Sequence, residues 1–322
     1  MTETPQVIIT DQDIINTYPQ RNQEISRTYL KYKQLKQQRP DLGYKRLSKM
    51  LNKPTHTTRY WHHSNAVPEP IRTILWLQER KVLPLTLNDT KLPLIAKVFG
   101  ATFSDGGIFQ NLNAIFLSSS ELETVKEFGE DLKTLFGNEI EENSRIIEGG
   151  EYGHSWCYQN TNRNIIRFFQ ALRSPVGRKS EMELMIPGWV FVRGEVADQF
   201  FGSIIGGDGG IPKYVSGNPN PITIGITGRN GLRRNRIDFL EQIRRYFTMK
   251  GIETNKLYIS KWKDTNIFSL PSRSTISTFL SFYNKVLINY CAYKRLKLEK
   301  TIKNWQRVTD INKELRYIDL LK

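Results

Sequence analysis

The segment Phe200–Pro212 reads FFGSIIGGDGGIP. An apolar run ends in four glycines set around a single aspartate. Glycines at that density close a helix. A carboxylate at a helix C-terminus faces the negative end of the helix dipole, so Asp208 needs a reason to be there. The same phrase occurs once more upstream. Leu92–Phe109, LPLIAKVFGATFSDGGIF, is another apolar run ending in Asp-Gly-Gly-Ile, with Asp105 in the equivalent place.

Each copy opens a unit with the same predicted order of elements. Strand-like segments follow at Ala114–Ser118 and Ile222–Thr227, then amphipathic helices at Ser120–Phe136 and Gly231–Met249. Two further strands come next, around 139–147 and Ser155–Gln159 in the first unit and Lys256–Lys261 and Ile267–Leu270 in the second. Closing helices are expected at Asn164–Leu172 and Thr275–Lys297. The repeat is too long for a solenoid and reads as an internal duplication. The expected fold is α+β, with two αββαββα subdomains related by a pseudo-twofold axis. Small residues four apart, Gly100 and Ser104 in one copy and Ser203 and Gly207 in the other, share a helix face and suit a close helix–helix contact. Packing those faces together brings Asp105 and Asp208 side by side.

Aligned on the final Asp-Gly, Val98–Gly106 (VFGATFSDG) and Phe201–Gly209 (FGSIIGGDG) resemble the two signatures of the LAGLIDADG homing endonuclease family, over roughly Leu92 to Lys297. The resemblance implies two antiparallel sheets forming a saddle along a DNA major groove. It implies that Asp105 and Asp208 each serve one DNA strand. Two close carboxylates repel unless a cation lies between them, and their hard oxygens suit Mg2+ (or Mn2+). Such a metal activates water and stabilises the leaving oxygen in phosphodiester hydrolysis. The family also places a basic residue near each metal; the candidates are Arg163 in NTNRN and Arg273 in PSRST, with Lys261 and Lys263 as alternatives.

Alternate strand residues would then reach base edges. The candidates are Gln110, Asn111, Asn113, Arg145, Trp156 and Tyr158 in the first half. In the second they are Lys213, Tyr214, Thr223, Arg229, Lys256, Tyr258, Lys261 and Lys263. The series Arg229, Arg233, Arg234, Arg236 reads as a strip for phosphates.

Ahead of the duplication, Tyr44–Trp61 resembles a helix-turn-helix, with Leu47, Met50 and Leu51 inward and Asn52 in the turn. His56, Thr57 and Arg59 would face DNA. The expected partition is 1–91, a small all-α DNA-binding domain with Val82–Thr90 as linker, then subdomains 92–195 and 196–297, then a basic helical tail 298–322.

A net charge of +15 over 322 residues favours a polyanionic partner. The expected partner is double-stranded DNA with a long asymmetric site, with intron RNA as the alternative, and the chain is expected to act as a monomer. Two cysteines make neither a disulfide framework nor a zinc site. No apolar run approaches a membrane span, and an intracellular location, cytoplasm, nucleoid or organelle matrix, is expected. The function so implied is a site-specific double-strand DNA endonuclease. An RNA-splicing maturase and a non-cleaving DNA-binding regulator are the alternatives on the same fold.

Overall fold

The computed structural model describes residues 6–149, 154–212, 219–262 and 265–319; side chains are not described at Asn230, Trp262 and from 308 onward. It is a mixed fold of helices and antiparallel sheets in two compact units. One unit holds Met1–Asp89 with Arg163–Leu172, and the other holds Thr90–Asn162 with Arg173–Lys322.

The N-terminal unit opens with β1 (Val7–Ile9) and α1 (Asp11–Asn16). Thr10 and Asp13 close the start of α1 as a reciprocal capping box. Then come α2 (Gln20–Gln38), α3 (Tyr44–Leu51), α4 (Thr55–His63) and α5 (Glu69–Glu79). Asn52 turns the chain between α3 and α4 at φ 48° and ψ 49°, a left-handed conformation that asparagine tolerates. Ser48 donates to Lys53 O (2.6 Å) inside this hairpin, and Trp61 packs against the rings of Tyr29 and Tyr32. Met50, expected inward, is exposed. The unit is not all-α: β2 (Leu85–Thr86) pairs antiparallel with β1. This also corrects the expected linker, since Val82, Leu83, Leu85 and Leu87 are buried and belong to the core. Apolar residues at that density bury themselves.

The second unit begins with α6 (Leu92–Phe103), β3 (Gly106–Ile108), β4 (Ile115–Ser119), α7 (Leu122–Phe136), β5 (Ser144–Glu148) and β6 (Trp156–Asn160). Next is α8 (Arg163–Ala171), which groups with the N-terminal unit, although the duplication predicts it as the closing helix of the first half. Its polar side explains this. Thr73 donates to Asn164 Oδ1 (2.6 Å), Arg163 pairs with Glu69, and Arg167 bonds Thr17 O and lies over the Tyr18 ring. The chain returns through α9 (Gly194–Asp208), β7 (Gly209–Gly210), β8 (Thr223–Gly228), α10 (Arg233–Met249), β9 (Tyr258–Trp262) and β10 (Thr265–Pro271). It finishes with α11 (Ile276–Lys285) and α12 (Ala292–Asp319). The expected boundary between Lys297 and Leu298 falls inside α12, so no separate tail exists there. Buried Leu298, Ile302 and Trp305 continue its packed face.

The two sheets have the same strand order, β3-β4-β6-β5 and β7-β8-β10-β9, antiparallel throughout. Each buries one face against helices. Ile115 and Leu117 in the first sheet alternate with half-exposed Phe116 and Ser118; Ile224 and Ile226 alternate likewise with Thr223 and Gly225 in the second.

Candidate functional site

The centre of the second unit is the contact of α6 with α9, and the small residues lie along it. An alanine Cβ at Gly100 would sit 2.3 Å from Phe200 O, and one at Gly207 would sit 2.5 Å from Ser104 Cβ. Ser104 donates to Ser203 O (3.2 Å), and Ser203 donates to Lys97 O (2.8 Å). Matching residues rise together along both helices, so the helices run parallel and finish at one end. Asp105 and Asp208 stand there, close enough that the charge of Asp105 raises the Asp208 carboxyl. Gly209 has ordinary backbone angles, φ −72° and ψ 120°; it is glycine because a Cβ would lie 2.3 Å from Ile205 O. Gly206 backs onto the Asn289 backbone, with a Cβ 1.7 Å from its carbonyl oxygen.

Two lysines complete the site, and neither was among the sequence candidates. Lys179 donates to Gly106 O (2.7 Å) and to Ser104 O, closing the end of α6. Lys294, in the first turn of α12, donates to Gly206 O (2.6 Å) and Gly207 O, closing the end of α9. Helix ends leave carbonyls without intrahelical partners and carry negative potential, which an ammonium satisfies on both counts. The charge coupling is crossed. Lys294 is the stronger influence on Asp105, and Lys179 the stronger on Asp208.

Burial pushes the half-buried Asp208 carboxyl up to about 7, against the pull of Lys179 and with the repulsion of Asp105 adding to it. Asp105 has an open residue surface, yet the crowding of protein around its carboxyl still holds it above the ordinary range, outweighing Lys294 and Lys179. Burial pulls both lysines down, while the two aspartates oppose it. Acids and bases are thus moved toward neutrality together, as is usual where proton transfer or cation binding is prepared. Beside Asp105 a cavity of about 120 Å³ is lined by Ser118, Thr124, Ser203, Cys291 and Lys294. Among the described residues, no three His, Cys, Asp or Glu side chains gather as a ready-made metal cage.

The expected basic residues lie elsewhere. Arg163 starts α8 and pairs with Glu69 in the N-terminal unit. Arg273 follows β10 and pairs with Glu253 (3.0 Å). Lys263 lies outside the described residues, as do Lys213 and Tyr214. The signal available in the sequence was a lysine shortly after each closing helix, in GRKSE and AYKRL, not an arginine before it.

The outer face of the first sheet carries Phe116, Gln159 and Arg145 in one cross-strand row and Ser118, Cys157 and Ile147 in the next. Arg145 is exposed and donates to Gln159 Oε1 (2.8 Å). Tyr158 points the other way: it is buried, packs on Gly129 and Phe128, and bonds Ser144 Oγ (2.6 Å), so it cannot touch a ligand on the outer face. Trp156 shares its side by alternation. Gln110, Asn111 and Asn113 occupy the exposed β3–β4 loop, not a strand. In the second sheet Tyr258 is exposed and aligned with Ser269 and Gly225, and Thr223 is on the same face. Lys261 alternates to the opposite side of edge strand β9, and exposed Lys256 precedes that strand. Arg229 pairs with Glu181 (2.6 Å), and Arg236 is fully buried, so the expected arginine strip does not form. In the N-terminal unit, His56, Arg59 and Tyr60 are exposed on α4 and line a groove of about 600 Å³; Thr57 is half-exposed and not part of that lining.

No protein-family model matches the chain. Among curated proteins it is similar to tRNA-splicing ligase RtcB of Pyrococcus abyssi (strain GE5 / Orsay), 25% identical over 67% of this chain and 24% of that protein. RtcB of Methanocaldococcus jannaschii is 25% identical over 76% of this chain and 26% of its own length. DNA-directed RNA polymerase subunit Rpo1N of the same organism is 28% identical over 39% of this chain and 11% of that protein. The chain therefore spans about a quarter or less of the curated relatives it matches. Its neighbours among solved structures are LAGLIDADG proteins. They include homing endonuclease I-DmoI in complex with DNA and Ca (TM-score 0.44, 11% identity, 66% of this chain and 99% of that one). Homing endonuclease I-WcaI bound to its DNA recognition sequence has TM-score 0.39 and 12% identity, over 67% of this chain and 97% of that one. The N-terminal LAGLIDADG domain of DUF199/WhiA has TM-score 0.37 and 11% identity, over 66% and 91%.

Proposed function

We propose that the chain is a site-specific double-strand DNA endonuclease of the LAGLIDADG homing type. Two pseudo-twofold halves would set their sheets as a saddle on the duplex, and the chain would act as a monomer because it carries both halves. The observation behind this reading is the pair of carboxylates at the joined ends of α6 and α9, each beside a lysine. A carboxylate is unfavourable at a helix C-terminus, and here the placement is made twice.

The donor set fits a hard divalent cation: two carboxylates, with remaining positions left to water and phosphate oxygens. Asp105 and Asp208 would hold Mg2+ or Mn2+. Bound there, the metal would lower the pKa of an attacking water and offset charge on the leaving oxygen. The chain's own groups do the rest. Lys179 and Lys294 supply positive charge where phosphate must come to lie, from positions fixed by the helix-end carbonyls. The Gly100–Phe200 and Ser104–Ser203 contacts set the spacing of the two carboxylates. Outer-face residues such as Arg145, Gln159 and Tyr258 would meet base edges and phosphates. His56, Thr57 and Arg59 on α4 would add a second DNA contact.

The ligase named among the relatives is not the favoured reading. An RNA ligase and a polymerase subunit differ in chemistry, yet each resembles this chain over a minority of its own length. That supports a shared module rather than either catalytic core. To test the proposal, a plasmid library with randomised inserts is incubated with the protein and Mg2+, and new double-strand ends are sequenced. Discrete cut sites are expected, abolished by EDTA and by Asp105→Asn or Asp208→Asn, with binding of the recovered site retained. Undiminished cutting by both variants would sink the proposal; sequence-selective retention of library duplexes without any cutting would favour the regulator.

A further inference from the structure

We infer that Arg236 is the positioning residue of Lys179, so that the second half of the duplication sets the basic group capping the first; its catalytic meaning rests on the proposed function. Lys179 lies in the segment joining the halves, in a short 3-10 turn, Lys179–Glu181, with no sheet or long helix of its own to fix it. The fixing comes from α10. Arg236 is fully buried, and its Nη2 donates to Lys179 O (2.6 Å) and Met182 O (2.8 Å). Its Nε donates to Thr227 O (2.8 Å), at the end of β8, and Nη1 to Asn235 Oδ1 (2.5 Å). Gly228 leaves the room for this, since a Cβ there would sit 2.8 Å from Arg236 Nε.

The guanidinium is rigid and planar, with donors in a fixed fork. It therefore ties the Lys179 carbonyl to the β8 edge at a set distance. Its neighbours hold the segment farther along: Asn235 exchanges both hydrogen bonds with Leu184, and Gln242 accepts from Ile186 N. From the other side of the same residue, the Lys179 amine reaches Ser104 O and Gly106 O at the end of α6. Backbone and side chain of Lys179 are thus held by opposite halves. This buried cation bonds chiefly to carbonyls; Glu183 acts on it electrostatically, and among the described residues no carboxylate hydrogen-bonds it, an arrangement with no evident purpose in core packing alone.

The test uses the full chain with Arg236→Lys, which keeps the charge and removes the fork. Gln242→Ala is the control that loosens the same segment at Ile186, away from Lys179. The first readout needs no catalysis: reductive methylation of Lys179 in metal-free protein, followed by mass spectrometry. Arg236→Lys should raise labelling several-fold, and Gln242→Ala should change it little at matched folded fraction. The second readout is single-turnover cleavage of the recovered duplex at saturating protein. Arg236→Lys should slow cutting by about tenfold with affinity within about twofold, and should add nothing further in a Lys179→Met background. Unchanged labelling in folded Arg236→Lys overturns the inference even if the chain never cuts DNA. Equal rate losses with and without Lys179 overturn it if the chain does.

Discussion

Gly100→Ala places one methyl group where α6 and α9 touch most closely. The Cβ would begin 2.3 Å from Phe200 O, and also 3.0 Å from that residue's carbonyl carbon and Cα. These are backbone atoms of a buried helix and cannot rotate away. Ordinary contact needs more than about 3.3 Å, so the helices must part by about 1 Å. Overpacking of this kind costs about 1–3 kcal/mol. Alanine returns up to about 1 kcal/mol as the better helix former. The net expectation is a loss of about 1–2 kcal/mol, or ~3–6 °C in melting temperature for a unit of this size. The separation also moves Asp105 away from Asp208. Misplacement by about 1 Å can cost about a hundredfold in rate, so cutting should suffer far more than stability. Gly194→Ala is the control: Gly194 opens α9 with nothing within 4 Å of its Cβ position, and it should be neutral or slightly stabilised. The assays are thermal unfolding followed by circular dichroism and single-turnover cleavage. If Gly100→Ala melts at or above the parent temperature and cuts normally, the reasoning about this contact is wrong.

Lys294→Met should free the Gly206 and Gly207 carbonyls, cost about 1–3 kcal/mol in stability and lower the single-turnover cleavage rate by at least about a hundredfold without comparable loss of DNA affinity. Asp208, with a folded pKa of about 7 against an unfolded value near ~3.9, binds its proton more tightly when folded. Its contribution therefore penalises the fold progressively as pH rises between those values and fully above about 7. In EDTA, the melting temperature of Asp208→Asn relative to parent should rise from pH 5 to pH 8. The three-unit shift sets an upper limit of about 4 kcal/mol, reduced by partial exposure. A difference independent of pH would contradict the assignment. Tyr158→Phe should cost about 1 kcal/mol of stability through the lost Ser144 bond and leave DNA affinity unchanged. Arg145→Ala should do the opposite, weakening binding and flattening its salt dependence in filter or anisotropy titrations.

The duplicated Asp-Gly-Gly-Ile was readable because its constraints are local: small residues four apart, glycines after an apolar run, and a carboxylate where none is favoured. The element order followed from periodicity, except that the one closing helix expected over Thr275–Lys297 is broken into α11 and α12. What the sequence hid was long-range. Helix α8 obeys the same amphipathic pattern whether it closes the first half or joins the N-terminal unit; its partners Thr73, Glu69 and Thr17 decide, and they are distant in the chain. Strand alternation divides Gln159 from Tyr158 but does not say which side is buried until Phe128 and Gly129 are in place. Arg233, Arg234 and Arg236 look alike in a list, and only the turn of α10 sends the last inward. Gly206 has no motif to explain it, because its partner Asn289 belongs to a segment folded back from far downstream.

Helix α12 has a practical corollary for anyone trimming this protein. It starts two residues before Lys294 and runs unbroken to Asp319, roughly 40 Å at 1.5 Å per residue. A shortened version ended after Lys297, where the duplication finishes, would leave Lys294 on a stub of less than two turns, too short to hold helical geometry unaided. It would also remove the Thr301 bond to Pro212 O (2.9 Å) and the Trp305 ring against Phe279. The smallest body worth expressing therefore extends at least through Trp305.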